Sequence, residues 1–335
     1  MSACRRAGSL SYATSHSNGD YHDHIGTHAA HQSHTDVAAV AAHHETGSFA
    51  APDDGYADAA TSRYGMDNFI YKLTETGQPV SVYAMDVTTS DGKTDGTSEN
   101  DYPYSYPYAM DGFKGAPDMI AVLGNFHGLL KFPKADGTTI DLVNRKFSHY
   151  DAWVAKIDMA TKSVVWATSE LMEGRGYGRS VVTTATGHVI AATESRDGST
   201  YSGNLTKFHG DTGAVVWQKN FGTHLTFSGT KMSSSAEKVY LTGRFKGKDS
   251  TAYAPAQALT TSCGDGEDTS AVVAEFDVSS LTSDGPVATW VTVIGCGNGA
   301  TATFVQGDNL YVYGFRGLAP RDDASRGRRP SMGPF

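Results

Sequence analysis

The sequence predicts an all-β fold of small antiparallel sheets set side by side, and three observations predict it. A phrase of alternating apolar runs and turns recurs four times along the chain. Its apolar runs are short, rich in Val, Ile, Tyr, Phe and Trp, and bounded by Gly, Asp, Thr or Ser, which is how strands and their turns read. Glycine is abundant at 37 residues while charged residues make up 19%, a mixture suited to many tight turns and unsuited to a helical bundle.

The phrase opens on Phe69-Ile-Tyr-Lys-Leu73, Trp153-Val-Ala-Lys-Ile157, Asn204-Leu-Thr-Lys-Phe208 and Val272-Val-Ala-Glu-Phe276. A turn and a second apolar run follow, then a Gly/Ser/Thr-rich stretch. The phrase closes on Ile120-Ala-Val-Leu-Gly124, Val189-Ile-Ala-Ala192, Val239-Tyr-Leu-Thr-Gly243 and Leu310-Tyr-Val-Tyr-Gly314. One such unit is a sheet too thin to bury both faces alone, so units must stack radially and cover one another. That is the logic of a β-propeller with four-stranded blades, here four recognisable repeats and part of a fifth. So few repeats predict a ring that is incomplete or completed by a partner.

Residues 1–45 hold eight of the thirteen histidines and hardly any large apolar side chain, which predicts a disordered or loosely docked arm. Within it, Thr35 to His44 is the one tolerable helix candidate. Repeats occupy 46–317, with blades about 67–128, 151–198, 201–247 and 270–317; residues 318–335 read as a polar tail. The first blade carries an insertion with the run Tyr102-Pro-Tyr104-Ser-Tyr106-Pro-Tyr108. Proline at alternating steps argues against ladder pairing, so these tyrosines are expected on a projecting interface loop. A second insertion spans 248–269. Asp211-Thr-Gly213 reads as a hairpin turn whose glycine supplies positive φ.

Two repeat families resemble these blades. Asp151-Ala-Trp-Val-Ala-Lys-Ile-Asp158 resembles the bacterial DAFVAKLD-type seven-bladed propeller repeat, and His209-Gly-Asp-Thr-Gly-Ala-Val-Val-Trp217 resembles the PQQ-type (quinoprotein-like) repeat. The second resemblance implies that Trp166, Trp217 and Trp290 dock on a neighbouring blade, with Tyr83 in their place in the first copy. Trp153 joins them as a blade-docking core residue. The quinoprotein enzymes of that kind need calcium, an acid–amide pair and a catalytic Asp, and no matching set can be placed in this chain. No catalytic residue or cofactor is therefore assigned.

Other candidates rest on local pattern. Asp91, Asp95, Glu99 and Asp101 gather in a Gly-containing loop of the kind calcium favours, although Lys93 breaks the ligand spacing. His28, His31 and His34 recur every third residue and are metal candidates of the arm. Cys263 and Cys296 lie in Gly-flanked loops and are expected to pair in an oxidising compartment. Asn204-Leu-Thr206 is a glycosylation sequon.

The formal net charge of −9 argues against nucleic acid as a partner. No apolar run is long enough to span a bilayer, and no signal peptide is legible at the start. The reading is a non-catalytic binding or structural module contacting other protein chains or glycans in a cell-surface or extracellular assembly. A PQQ-like oxidoreductase or other channel-site enzyme, and an intracellular docking scaffold, are the alternatives.

Overall fold

The computed structural model describes residues 26–32, 36–44, 66–74, 79–88, 103–144, 150–169, 175–197, 200–221, 225–226, 232–245, 270–281, 285–286, 288–296, 298–306 and 308–316. Among them every regular element is a strand. The clearest unit is a four-stranded meander of β11 (Arg175–Thr183), β12 (Val189–Asp197), β13 (Thr200–Phe208) and β14 (Val215–Asn220), paired in that order. The next sheet repeats it with β15 (Leu225–Thr226) and β16 (Ser233–Ser235) sharing the first position. They are followed by β17 (Lys238–Phe245), β18 (Ser270–Asp277) and β19 (Ala288–Cys296).

Upstream, β5 (Tyr104–Phe113), β6 (Ala116–His127), β9 (Asp151–Asp158) and β10 (Ser163–Thr168) form another such sheet. A hairpin of β7 (Leu129–Pro133) and β8 (Thr139–Val143) is inserted between its second and third strands. The first sheet is β1 (Gly26–Gln32), β2 (Asp36–His44), β3 (Met66–Thr74) and β4 (Pro79–Thr88), and β7 pairs with the end of β4. Among the described residues, β20 (Asn298–Gln306) and β21 (Asn309–Arg316) supply the first two positions of a fifth. These are four propeller blades and a half.

Three differences from the sequence reading have physical reasons. Each repeat frame straddles two blades: residues 201–247 hold the outer strands of blade 3 and the inner strands of blade 4. Periodicity fixes a repeat's length but not its first strand. Residues 26–32 and 36–44, read as arm, are strands, and Asp36–His44 pairs along its whole length with β3 rather than coiling as a helix. Backbone pairing does not require the large side chains whose scarcity prompted that reading. Finally, Tyr104–Phe113 is a strand and not a projecting loop. β5 is the innermost strand of its blade, and Pro107 sits beside a bulge between Pro107 and Ala109, where a missing N–H is tolerated.

Neighbouring blades meet face to face through mixed apolar layers. Ala121, Leu123, Ala152 and Val154 of blade 2 pack against Val181, Val189, Ala191 and Phe208 of blade 3. Ile190, Leu205, Trp217 and Phe221 of blade 3 pack against Val239, Leu241, Val272 and Phe276 of blade 4. Trp153 reaches the opposite way, to the layer holding Ile70, Tyr83 and Met85 of blade 1, and its indole donates to Ser105 Oγ at 3.1 Å.

A polar clamp repeats at one rim of these layers. Lys156 and Trp166, opposite each other in register, both donate to the carbonyl of Gly210, each at 2.9 Å. Lys207 and Trp217, again opposite, donate to Val278 O at 2.6 Å and Ser280 O at 3.2 Å. In both cases the acceptors lie in the turn between the third and fourth strands of the next blade. The position opposite Lys72 is Ser81, which donates to Met159 O of the blade 2 turn at 3.4 Å. Ser81, not Tyr83, is thus the first blade's counterpart of the tryptophans; Tyr83 faces Ile70 and donates to Pro133 O.

The Trp166 ring lies over Gly213, where an added Cβ would come within 2.6 Å of it and where φ is +69°. Glycine is required there on both counts. Two stability outcomes follow, measured by denaturant unfolding of the purified chain. Trp217→Ala should cost about 3–5 kcal/mol through lost packing and a cavity, and Gly213→Ala about 1–3 kcal/mol through backbone strain and displacement of the Trp166 ring.

Candidate functional site: a tyrosine-lined inner rim

The first strands of successive blades converge, β1 beside β5, β5 beside β11 and β11 beside β16, so they line the inside of the array. At the rim opposite the clamp, alternation along β5 turns Tyr104, Tyr106 and Tyr108 to one face, half-buried, while Ser105, Pro107 and Ala109 point into the blade. Tyr150, one residue before β9, and Tyr177 of β11 join them. Ring centroids are 5.0 Å apart for Tyr104 and Tyr150, 5.4 Å for Tyr104 and Tyr106, and 5.8 Å for Tyr150 and Tyr177. The imidazole of His127 stacks on Tyr104 at 5.4 Å. Five tyrosines from three segments thus make one continuous aromatic wall.

Its charged floor is internally neutralised. Arg179, two residues beyond Tyr177, donates from Nε at 2.8 Å and also from Nη2 to the same oxygen, Oε2, of Glu194, which is fully buried on β12. The guanidinium lies 5.1 Å from the Tyr177 ring centroid. Asn125 of β6 ties the two blades together: its Oδ1 accepts the backbone N–H of Gly178, and it hydrogen-bonds the Tyr108 hydroxyl. Gly178 permits this approach, since a Cβ there would come within 2.8 Å of Leu123.

Burial raises the pKa of Tyr104, reinforced by its hydrogen bond with Tyr150 and by the surrounding tyrosines. Burial also raises Tyr106 and Tyr108, the latter against an opposing pull from Arg179. The three tyrosines of β5 therefore stay neutral hydroxyls around neutrality. The wall can stack on a ring and both donate and accept hydrogen bonds.

Of the candidates read from sequence, Tyr104, Tyr106 and Tyr108 are in the wall and the others fall elsewhere. Tyr102, Cys263, His34 and the acidic set Asp91, Asp95, Glu99 and Asp101 lie outside the described residues. His28 and His31 lie on β1, and Cys296 ends β19 opposite Ser270. Asn204 corrects an expectation: it is 3% exposed in the middle of β13, paired with Thr193 of β12 and Asn220 of β14, and the folded blade has no room for a glycan there. Trp290 is half-buried on β19, with its ring 6.4 Å from that of Tyr240. Among the described residues no three His, Cys, Asp or Glu side chains gather as a metal site, and no helix is long and apolar enough to cross a membrane.

Sequence reasoning found three of the wall's tyrosines and missed Tyr150, Tyr177, Arg179 and Glu194. The available signal was Gly176-Tyr177-Gly178, whose small residues mark a close backbone approach.

No protein-family model matches the chain, the two repeat families named above included, and no curated protein matches it. Three solved structures similar to it are propeller-bearing proteins. A Trypanosoma rangeli sialidase in complex with sialic acid matches at TM-score 0.34 and 8% identity, over 87% of this chain and 51% of that one. The Nup133 β-propeller domain of Vanderwaltozyma polyspora matches at 0.33 and 8%, over 83% and 76%. Porphyromonas gingivalis dipeptidyl peptidase 4 matches at 0.25 and 9%, over 75% and 50%. The chain spans about half the length of the sialidase and of the peptidase. At such TM-scores the propeller assignment rests on this chain's own strand order and interblade layers.

The tyrosines carry a pH dependence. Each of the three ionises later in the folded chain than in the unfolded one, whose value is 10.0, so the folded state holds more protons above that pH. Their contribution to stability is complete below pH 10.0 and is lost as pH rises toward the folded values. Tyrosinate absorbance should show these residues ionising together with unfolding, and Tyr104→Phe should shift that transition to higher pH.

Proposed function

We propose that this chain is a non-catalytic binding module whose inner tyrosine rim receives the sugar rings of a neutral glycan. The observation that carries the reading is the convergence of Tyr104, Tyr106, Tyr108, Tyr150 and Tyr177 into one half-buried aromatic wall fringed by hydroxyls. Aromatic faces offer large contact area at small entropic cost, and the hydroxyls match the donors and acceptors of a saccharide. The buried Arg179–Glu194 pair supports a binding role: the carboxylate is committed to holding Arg179 against Tyr177 rather than to moving protons. Segments 89–102 and 246–269, outside the described residues, connect strands whose ends lie at this same rim. A cell-surface or extracellular setting belongs to the proposal because glycans are displayed there. Kinship with the DAFVAKLD-type and PQQ-type repeats is proposed on the Asp151–Asp158 phrase and on Trp166 and Trp217.

Titration calorimetry against a panel of neutral oligosaccharides tests this. Saturable binding is expected, weakened about tenfold or more by Tyr177→Ala and unchanged by Val215→Thr on the exposed outer strand β14. Absence of binding across the panel, or binding indifferent to Tyr177, would refute the glycan reading.

A further inference from the structure

Arg179 enters the tyrosine rim through an irregularity in its ladder. β11 and β12 pair in register at Tyr177–Glu194 and Gly178–Thr193 and again from Ser180–Ala192, so Arg179 is the extra residue of a bulge. A bulge re-aims the side chain it carries. Here the guanidinium turns back over the pair that precedes it: Nε donates at 2.8 Å to Oε2 of Glu194, and the charge stands 5.1 Å from the Tyr177 ring centroid. It also acts on Tyr108 of the neighbouring blade, whose ionisation it favours against the opposing effect of burial. One cation thus faces tyrosines from both blades of the wall.

The two charges are unequally exposed. The Arg179 side chain is 19% exposed and that of Glu194 is 1% exposed. A ligand lying on the wall therefore meets the guanidinium and not the carboxylate. Burying a carboxylate carries a heavy desolvation cost even when the group is paired. A glutamine amide of nearly the same shape would accept the same hydrogen bond with less desolvation. What the carboxylate alone supplies is a negative charge that cancels the one on Arg179.

We propose that Glu194 sets the wall's preference for uncharged over anionic sugars, by cancelling the field of Arg179 where a ligand lies. This rests on the glycan-binding reading above and adds to it the ligand charge that the site rejects. A sugar carboxylate must shed water to lie on half-buried aromatic faces, and a cation already neutralised from below offers little to offset that loss. An uncharged sugar ring gives up far less.

The probes are the neutral oligosaccharides of the calorimetry panel and the same compounds oxidised at C6 to uronates. The wild-type chain should bind each neutral member it recognises more tightly than the matching uronate. Glu194→Gln should tighten uronate binding about tenfold and leave neutral affinity within about twofold. That gain should fade as salt rises, and adding Arg179→Gln should remove it, which a mere loosening of the blade would not produce. No neutral binding by the wild-type chain refutes the glycan reading and this inference with it. Neutral binding with the uronate preference unmoved in Glu194→Gln overturns this inference alone. Should Glu194→Gln fail to fold, the salt dependence of the wild-type chain decides. Uronate affinity that holds or rises with salt is expected of a chain with formal net charge −9, whereas a fall would reveal an uncancelled cation and overturn the inference.

Discussion

The array depends on what holds one thin sheet in register against the next, and that is the paired Lys and Trp donors aimed at a neighbour's turn. Apolar layers supply most of the attraction between blades, but they are non-directional and tolerate sliding. The clamp does not. Lys207 is almost wholly buried, and burial holds its pKa below the ordinary lysine range. Its ammonium is tolerated only because Val278 and Ser280 carbonyls meet it. A hydrogen bond to a charged group is worth about 1.5–3 kcal/mol, less than the cost of stranding that charge in an apolar layer. The net stabilisation is therefore small, while the penalty for a shifted blade is large. The clamp selects one alignment more than it strengthens it.

That division of labour explains how much of the fold was legible. Strand identity was readable wherever β-branched and aromatic runs sit between turn residues, as at Trp153–Ile157 and Val272–Phe276. Blade boundaries were not, because a repeat is the same length whichever strand begins it. β1 and β2 were invisible for a different reason: Ala and Val in runs such as Val37–Ala42 hydrogen-bond along β3 without the bulky side chains on which strand recognition relies. β5 was masked by its prolines, since a rule about central strands was applied to an innermost strand that is bonded beyond β6 to β3 at Tyr104, with Pro107 beside a bulge. The rest of the site was out of reach because Tyr150, just before β9, and Tyr177 and Glu194, on β11 and β12, come from two blades, and only the third dimension joins them to β5.

The clamp and the tyrosine wall occupy opposite ends of the same strands. Antiparallel pairing places the ends of the third strands and their turns at the clamp rim, and the starts of the first and third strands at the tyrosine rim. A substitution in the wall alters the aromatic surface without touching the donors that fix blade register. The two rims meet only through rigid ladders such as β6–β9, whose Gly124 accommodates the Trp153 ring where a Cβ would approach it to 2.7 Å. This separation lets one scaffold carry varied surfaces.

The clamp is not uniform along the chain, and its gradation has structural meaning. At the first joint Lys72 meets a carboxylate, Asp118, at 2.7 Å, and Ser81 stands in for the indole. The two middle joints use the full Lys–Trp pair. At blade 4 the lysine becomes Glu275, turned to Lys238 and Thr289 of its own sheet. A buried ammonium demands a partner blade at folding; a carboxylate already satisfied within its own blade does not. Blade 4 is thus the one whose interior charge is settled within its own sheet, by Lys238 and Thr289.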